Sequence, residues 1–452
     1  MDLQFLGATD TVTGSKYVLD TGRSRVMVDC GLFQGYKRLR LRNWEPLPVD
    51  PASLDAVVLT HAHIDHSGYL PLLVRNGFRG RVYCTMGTAQ LCGILLPDCA
   101  HLAEEDAAYA GRKGFSRHRP PLPLYNTADA ARALRRIAPV HFGERTAVAA
   151  DVEAEFHRAG HIVGSAIVTL HVHGERIVFS GDLGRQNDLL MRAPEPVRQA
   201  DVLLVESTYG NRRHPAIDPI DALGEVVART VGRGGTLVIP AFAVGRTQVL
   251  LYCLHQLREQ GRLPPVPVYL NSPMALDATE VLALHPDELR IDRATCAAAC
   301  SLPVIVRSME ESIALNRDRS PKIILAGSGM AAGGRVVHHI ETYGPDPRST
   351  ILLSGFQAAG TRGAALAGGH RQLRMHGQEV HIRADVAQID NLSAHADADQ
   401  LMAWLAGFAR PPRRTFVVHG EPDASDALRQ RIERELGWAV TMPEYRQVYR
   451  VA

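Results

Sequence analysis

The most constraining feature of the sequence is a run of four metal-ligand side chains within six residues. The run follows the apolar segment DAVVLT and precedes SGYLPLLVRNG, which places it between the carboxyl end of a strand and a helix. Three imidazoles and a carboxylate packed this closely need partners when they are buried, and a bound metal ion supplies them. The run therefore predicts a metal centre at a strand end. Its members are His61, His63, Asp65 and His66.

The length of 452 residues predicts more than one domain. Short apolar strands alternate with helical patterns, which indicates an α/β fold. Residues 209–378 repeat strand–loop–helix units and are expected to form a parallel-sheet domain. Metal-type residues precede this segment, up to Asp182, and follow it at His395 and His419. They can share a site only if both flanks fold together, so we predict that 1–208 and 379–452 form one domain and that 209–378 is inserted.

Local patterns give further expectations about secondary structure. We expect Glu379–Arg383 to be a strand, and the stretch Arg112–Leu124, rich in Arg and Pro, to be a loop. The clearest helical patterns are Val244–Gln260, Arg335–Tyr343, Ala398–Phe408 and Ala424–Leu436.

Composition restricts the partners and the compartment. The net charge of +2 gives no bulk basic field, so any affinity for nucleic acid must come from local patches. The seven cysteines form no CxxC pair and predict free thiols in a reducing compartment. We find no signal peptide and no stretch long enough to span a bilayer. The expected location is the cytoplasm, without membrane attachment.

The order of the metal-type residues resembles the metallo-β-lactamase superfamily. The HxHxDH run is its signature, and Asp29 in VDCG, His161 in AGHIVGSA and Asp182 in FSGDLG match its other motifs. The resemblance implies an αβ/βα sandwich with two metal ions, expected to be zinc, with manganese as the alternative. It implies that Asp182 bridges the two ions. It also implies that one ion is held by His61, His63 and His161, and the other by Asp65, His66 and His419.

Later motifs resemble the β-CASP branch of that superfamily, which processes nucleic acids. Glu206 lies in LLVESTYG, His395 in LSAHAD and His419 in VVHGE, and the resemblance extends through AFAVGRTQ, NSPMA, GSGMAAGGR and SGFQAAGTRG. It implies an inserted β-CASP domain on a parallel sheet. The expected relatives are minimal two-domain bacterial members, related to the nuclease subunit of the cleavage and polyadenylation machinery and more distantly to RNase J.

The resemblance implies a zinc-dependent phosphodiesterase in which two ions activate a hydroxide for attack on phosphorus. His395, oriented by Glu206, could protonate the leaving alkoxide. Asp29 is expected to orient the hydroxide or a metal ligand. RNA-acting members carry His at the third motif, so His419 favours RNA over DNA. The predicted catalytic residues are Asp65, His395, Glu206 and Asp29.

Glycine-rich turns that follow strands and open helices can present backbone N–H groups to phosphate. Two such turns, AFAVGR and GSGMAAGGR, lie in the predicted inserted domain, where an arginine in each could add charge-assisted bonds. We predict RNA phosphate contacts from Arg246, Ser328, Gly329, Met330, Arg335, Gln357 and Thr361.

Several alternatives stay open at this point. A ribonuclease of this kind could cut internally, act as a 5′ exonuclease, or do both. A hydrolase of a small ester or thioester would explain the HxHxDH run but would leave Glu206, His395 and the inserted domain without a role. A non-catalytic RNA-binding scaffold would be expected to have lost ligands, and none is missing here. A homodimer is compatible with the sequence.

Overall fold

A computed structural model describes residues 1–114, 116 and 118–451. The chain forms two compact units: the first contains Met1–Arg213 and His395–Ala452, and the second contains His214–Ala394. The predicted loop Arg112–Leu124 begins at the end of a helix, and its residues Phe115 and Arg117 lie outside the described residues. Within the described chain, no helix is both long and apolar enough to cross a membrane.

The regular elements are named here in chain order. The strands are β1 Asp2–Phe5, β2 Tyr17–Asp20, β3 Arg25–Val28, β4 Ala56–Val58, β5 Arg81–Thr85, β6 Ile137–Val140, β7 Arg145–Ala149, β8 Val152–Arg158, β9 Ala166–Val172, β10 Glu175–Phe179, β11 Val202–Glu206, β12 Thr236–Pro240, β13 Val268–Asn271, β14 Val304–Ile305, β15 Lys322–Ala326, β16 Thr350–Leu353, β17 Gln372–Met375, β18 Gln378–His381, β19 Asp385–Gln388, β20 Arg414–Val418, β21 Val440–Thr441 and β22 Val448–Arg450. The helices are α1 Lys37–Arg42, α2 Ile64–Ser67, α3 Leu70–Arg75, α4 Met86–Arg112, α5 Thr127–Leu134, α6 Pro219–Gly232, α7 Arg246–Glu259, α8 Pro273–Leu284, α9 Arg293–Cys300, α10 Met309–Arg317, α11 Arg335–Tyr343, α12 Arg362–Ala367, α13 Ala398–Leu405 and α14 Pro422–Leu436.

The first unit is a sandwich of two sheets, with strand orders β22-β1-β2-β3-β4-β5-β6 and β21-β20-β11-β10-β9-β8-β7. Apolar residues of both sheets form one buried core between them, including Phe5, Val28, Phe179 and Phe416. Helices α13 and α14 pack on the outer face of the second sheet, and α4 packs against β5 and β6 of the first. This confirms the predicted αβ/βα sandwich.

Strand β11 shows why the sequence adopts this layering. Val202 and Leu204 point into the core between the sheets, whereas Leu203 and Val205 point to the layer that contains α13 and α14. Successive side chains of a strand alternate between faces, so a strand covered on both faces reads as a continuous apolar run. β11 pairs in parallel with β10 and β20, so the carboxyl ends of these three strands lie at one edge of the sheet.

The second unit contains a six-stranded sheet, in the order β14-β13-β15-β12-β16-β19, in which every pairing is parallel. Val238, Ile324 and Ile351 of this sheet share a buried core with Val336 and Ile340 of α11. The hairpin β17–β18 adds Leu373 and Met375 to that core. The parallel-sheet architecture expected for the inserted segment is therefore confirmed.

The boundaries of the units differ from the predicted ones. The expected junctions were 208/209 and 378/379, whereas the compact units meet at 213/214 and 394/395. The second difference has a clear cause, because β19 pairs along its whole length with β16 at the edge of the parallel sheet. The predicted strand Glu379–Arg383 is instead β18, which pairs only with β17 in a separate hairpin.

A buried polar network lies beneath α11 in the second unit. His339 is 0% exposed; its Nε2 lies 2.7 Å from Asn271 Nδ2 and its Nδ1 lies 2.6 Å from Asn316 Oδ1. Nδ1 therefore donates to Asn316 while Nε2 accepts from Asn271, so both ring nitrogens are satisfied by the neutral imidazole. Burial lowers the pKa of His339 from 6.5 to about 4, and the positive charge of neighbouring Arg335 acts in the same direction.

This network makes the stability of the second unit sensitive to acid. The folded state favours neutral His339, so its contribution is present above pH 6.5 and is lost as the pH falls toward 4. The complete loss is about 3 kcal/mol in the free energy of unfolding. We expect urea unfolding of wild type to show this loss and His339→Gln, which does not titrate, to lack that component. Identical pH dependence in the two proteins would contradict the assignment.

Candidate metal centre

The predicted ligands lie at the carboxyl ends of strands in the first unit. His61 follows β4, Asp182 follows β10 and His419 follows β20. His161 lies in the turn between β8 and β9, and Asp65 is on the short helix α2. Ligand-type atoms from these elements form two groups, in each of which all atoms lie within 4.8 Å of one another.

The first group contains three imidazoles and one carboxylate. His63 Nδ1 lies 3.1 Å from His61 Nε2 and 3.2 Å from His161 Nε2. Asp182 Oδ2 lies 3.4 Å from His61 Nε2 and 3.6 Å from His161 Nε2. Tetrahedral ligands with bonds of 2.0–2.1 Å to zinc are separated from one another by roughly 3.3 Å. The observed spacings match that value.

The second group contains Asp65, His66 and His419. The two Nε2 atoms of His66 and His419 are 3.1 Å apart, and Asp65 Oδ2 lies 3.5 Å from His419 Nε2 and 4.0 Å from His66 Nε2. Asp182 Oδ1 lies 3.2 Å from His66 Nε2. Asp182 therefore reaches both groups, one with each of its carboxylate oxygens.

Neighbouring groups fix the orientation of the ligand rings in the second group. His66 Nδ1 donates to Asp29 Oδ2 at 2.7 Å, and Asp29 also accepts from the backbone N–H of Thr60 at 2.8 Å. His419 Nδ1 lies 3.1 Å from the Thr208 hydroxyl, which itself donates to the His419 carbonyl. Both rings therefore carry a proton on Nδ1 and direct Nε2 inward.

The contacts among these side chains are those expected around metal ions. The Nε2 atoms of His66 and His419 face each other at 3.1 Å, and a cation between them would accept a lone pair from each ring. Asp182 is 2% exposed, and within the described chain its Oδ1 lacks a hydrogen-bond donor in suitable geometry. A buried carboxylate oxygen without a donor is costly unless a cation compensates it.

The electrostatics of the cluster place several ligand side chains, but not all, in the state that binds metal. Burial lowers the pKa of His61 well below its usual value. Burial alone would raise the pKa of Asp182, but the surrounding imidazoles, His419 and His66 first, hold it well below its usual range. His66 differs: burial alone would lower its pKa, but the carboxylates of Asp182 and Asp29 outweigh burial and raise it. Because neutral imidazole and ionised carboxylate are the forms that coordinate metal, an ion bound here would displace the second proton of His66.

A third group adjoins the ligands. His395 Nδ1 lies 3.1 and 3.2 Å from the two carboxylate oxygens of Glu206, and His395 Nε2 lies 3.9 Å from Asp182 Oδ2. Glu206 is fully buried and accepts from the backbone N–H of Leu183 at 2.6 Å. The imidazole is therefore held by one nitrogen and directs the other toward the metal-ligand cluster.

The residues predicted to bind RNA phosphate lie on three loops of the second unit. The loops follow β12, β15 and β16, which are neighbours in the parallel sheet, so they meet at one edge of it. The side chains mainly bind the loops together: Gln357 Nε2 donates to Gly329 O at 3.2 Å, and the Arg246 guanidinium donates to Ser354 O. Ser328 accepts from the N–H of Ala332, Met330 O accepts from the N–H of Gly363, and Thr361 caps α12.

Arg335 differs from the expectation of a guanidinium directed at phosphate. It donates to Asn271 Oδ1 at 2.7 Å, to Val306 O at 3.1 Å and to Arg307 O at 2.8 Å. Most of its donor capacity is thus used inside the second unit. The RNA contacts of these loops stay a prediction. Backbone N–H groups are better placed than Arg335 to make them.

Three family models match the chain. Residues 10–223 match the metallo-beta-lactamase superfamily, 247–366 the Beta-Casp domain, and 379–443 the Zn-dependent metallo-hydrolase RNA specificity domain. A curated relative, ribonuclease TTHA0252 of Thermus thermophilus, is 38% identical over 93% of this chain and 94% of its own length. This chain belongs to the β-CASP family of the metallo-β-lactamase superfamily. The resemblance seen in its motifs is thereby confirmed.

Other relatives of this chain are longer. The transcription termination factors FttA of Methanosarcina mazei and Pyrococcus abyssi are 33% and 30% identical over 95% and 97% of this chain, which spans 68% and 69% of their lengths. A crystal structure of a protein of unknown function from Enterococcus faecalis V583 aligns over 99% of both chains with a TM-score of 0.52 and 12% identity. That likeness shows the fold alone.

Sequence reasoning missed three residues of this β-CASP site. Thr60 donates its hydroxyl to Asp29 and lies 3.1 Å from His61 Nδ1. Thr208 orients His419, and the Ser15 hydroxyl lies 3.3 Å from His66 Nε2. The only sequence signal for the threonines is a hydroxyl residue at a strand end next to a ligand motif, and such residues are too common to be distinctive.

Proposed function

We propose that this β-CASP protein is a metal-dependent ribonuclease that hydrolyses RNA phosphodiester bonds in RNA processing or decay. The observation that carries the proposal is the convergence of seven ligand-type side chains and the His395–Glu206 pair in one cluster, most of which is buried. The name of the Thermus relative, ribonuclease, supports RNA as the substrate, as does the family description of residues 379–443.

The same cluster supports two ions per chain, with zinc as the native metal. His61, His63 and His161 would hold one ion, Asp65, His66 and His419 the other, and Asp182 would contribute to both. Imidazole-rich mixed sites suit zinc, and the RNA specificity domain that residues 379–443 match is one of Zn-dependent metallo-hydrolases. Divalent ions held by these residues would act as Lewis acids toward phosphate and would lower the pKa of a water molecule toward neutrality.

The chain's own residues supply the remaining chemistry. Cleavage of a phosphodiester expels an alkoxide, which leaves faster when it receives a proton. His395 can deliver that proton from Nε2, because Nδ1 is bound to Glu206. Burial alone would lower the pKa of His395, but the carboxylates of Glu206 and Asp182 outweigh it and raise the pKa. The protonated form that this role requires is thereby favoured.

RNA labelled separately at each end tests the proposed activity. We expect cleavage by purified protein, loss of cleavage after chelation, and recovery when zinc is added back, with manganese as the comparison. A ladder from both labels would show internal cutting, and mononucleotide release from a 5′-monophosphate end would show 5′ exonuclease action. Hydrolysis of a small ester or thioester without hydrolysis of RNA would refute the proposal.

Asp29 provides a test of how the second metal group is held. Asp29→Asn removes the charge that fixes His66, and we expect the affinity for one of the two ions to fall about 10- to 100-fold. Asn tolerates the backbone of Asp29, whose φ is 58°, so the fold is expected to persist. Competition with a chelating dye measures the affinity. Asp20→Asn, beside Arg25 on the surface, is the control, and equal affinities in both variants would contradict the role.

A further inference from the structure

A second cluster of metal-type side chains lies in the second unit and is independent of the catalytic proposal. His338 and Glu341 are three residues apart on α11 and therefore share one face of the helix. His376 lies in the loop of the hairpin β17–β18. Their ligand atoms all lie within 4.8 Å of one another.

The arrangement of these three side chains matches the spacing of ligands around one ion. Glu341 Oε1 lies 2.9 Å from His376 Nδ1, and Glu341 Oε2 lies 3.6 Å from His338 Nδ1. These distances bracket the separation of roughly 3.3 Å between tetrahedral ligands of zinc. The two imidazole rings stack with centroids 4.3 Å apart and an interplanar angle of 15°, and both Nδ1 atoms lie near the same carboxylate. A metal lies in the plane of each imidazole that binds it, so one of these exposed rings has to rotate for both lone pairs to meet at one ion.

The hairpin loop places His376 at a tight two-residue turn. Met375 pairs with Gln378, so the loop consists of His376 and Gly377, with φ values of 45° and 85°. Two positive φ values are typical of a type I′ turn, for which Asn-Gly is strongly preferred. Histidine also adopts positive φ more readily than most residues, so this turn accepts His376 and fixes the position of its side chain beside α11.

We propose that His338, Glu341 and His376 bind a first-row divalent cation such as Zn²⁺, with water completing the coordination. Two imidazoles and a carboxylate are a ligand set that zinc uses with an open position. All three side chains are partly exposed, so a cation can enter directly from solvent. A bound ion would tie α11 to the hairpin β17–β18. Both elements pack on the same core through Val336 and Met375.

Metal counting on untagged full-length protein tests the site with zinc alone as the probe. We expect His376→Asn to retain one equivalent fewer than wild type after zinc loading and desalting, with RNA cleavage unchanged. The asparagine suits the turn, so this variant is expected to fold. The matched control is His381→Asn, an exposed histidine on β18 outside the cluster. It should retain the wild-type number of equivalents.

The Asp182→Asn background separates this site from the catalytic centre, because it weakens the centre without touching the second unit. In that background zinc should still raise the thermal midpoint of the protein, and His376→Asn should remove the rise. Equal zinc content and equal midpoint shifts with and without His376→Asn would overturn the proposal. In that outcome the stacked histidines and Glu341 would be a surface hydrogen-bonded cluster only. The result would leave the ribonuclease assignment unaffected.

Discussion

Asp182→Asn is expected to reduce RNA cleavage by at least roughly 10⁴-fold and to lower the bound metal. Asp182 is the only predicted ligand whose two oxygens approach both groups, at 3.4 Å from His61 Nε2 and 3.2 Å from His66 Nε2. Replacing one oxygen with an amide NH₂ puts a donor where a ligand is needed and removes the negative charge. In the proposed mechanism, several kcal/mol of transition-state stabilisation depend on an intact metal pair, and each 1.36 kcal/mol is tenfold in rate.

The measurement combines initial rates on end-labelled RNA with metal content by mass spectrometry. Asp201→Asn is the matched control, because Asp201 immediately precedes β11, at the end of the strand opposite the cluster, and pairs with Arg410. Circular dichroism should show both variants folded. Wild-type turnover in Asp182→Asn, despite full loss of metal, would refute the metal-dependent mechanism.

His395→Ala is expected to keep the metal and to slow RNA cleavage by roughly 10²–10⁴, the range for a lost general acid. The side chain lies beside the ligands without belonging to either metal group, and Glu206 holds it through Nδ1. Its loss should therefore affect departure of the alkoxide far more than metal binding. Glu206→Gln is expected to show a smaller defect of the same kind, because Glu206 acts through His395.

A change of leaving group separates proton donation from a structural effect. A bis(4-nitrophenyl) phosphate ester expels a phenolate that needs no protonation, so its hydrolysis by His395→Ala should stay near the wild-type rate. Thr60→Val is the comparison, because it disturbs ligand orientation and should slow both substrates alike. An equal loss on both substrates in His395→Ala would remove His395 as the proton donor.

The sequence indicated which side chains meet in the cluster better than it indicated how those side chains are oriented. Residues 61–66 suffice to predict a metal site, because so many ligand groups in one short segment need a cation when buried. The approach of His419 to His66 could be expected only from the family resemblance, since 352 residues lie between them. The orientations of the His66 and His419 rings depend on contacts with Asp29 and Thr208, and no local sequence pattern predicts those contacts.

The same contrast holds outside the centre. Helix α11 begins and ends where its pattern predicted, at Arg335 and Tyr343, because apolar spacing and a preceding glycine mark it clearly. The hydrogen bonds of Arg335 could not be predicted, because its partners Asn271 and Val306 are distant in sequence and lie on another strand and a loop. The edge strand β19 was overlooked, because three half-buried residues followed by an exposed one give no alternation that identifies a strand.

His395 and His419 come from the segment that follows the inserted unit, so the order of synthesis determines when a growing chain can acquire activity. A nascent chain exposes the 61–66 motif early, yet it lacks His395 until more than eight tenths of the 452 residues, and His419 until more than nine tenths, have been translated. Strand β20, which precedes His419, pairs directly with β11 and must also be added late. With the roles proposed for these two residues, incomplete translation products would be unable to cleave the messenger from which they are read.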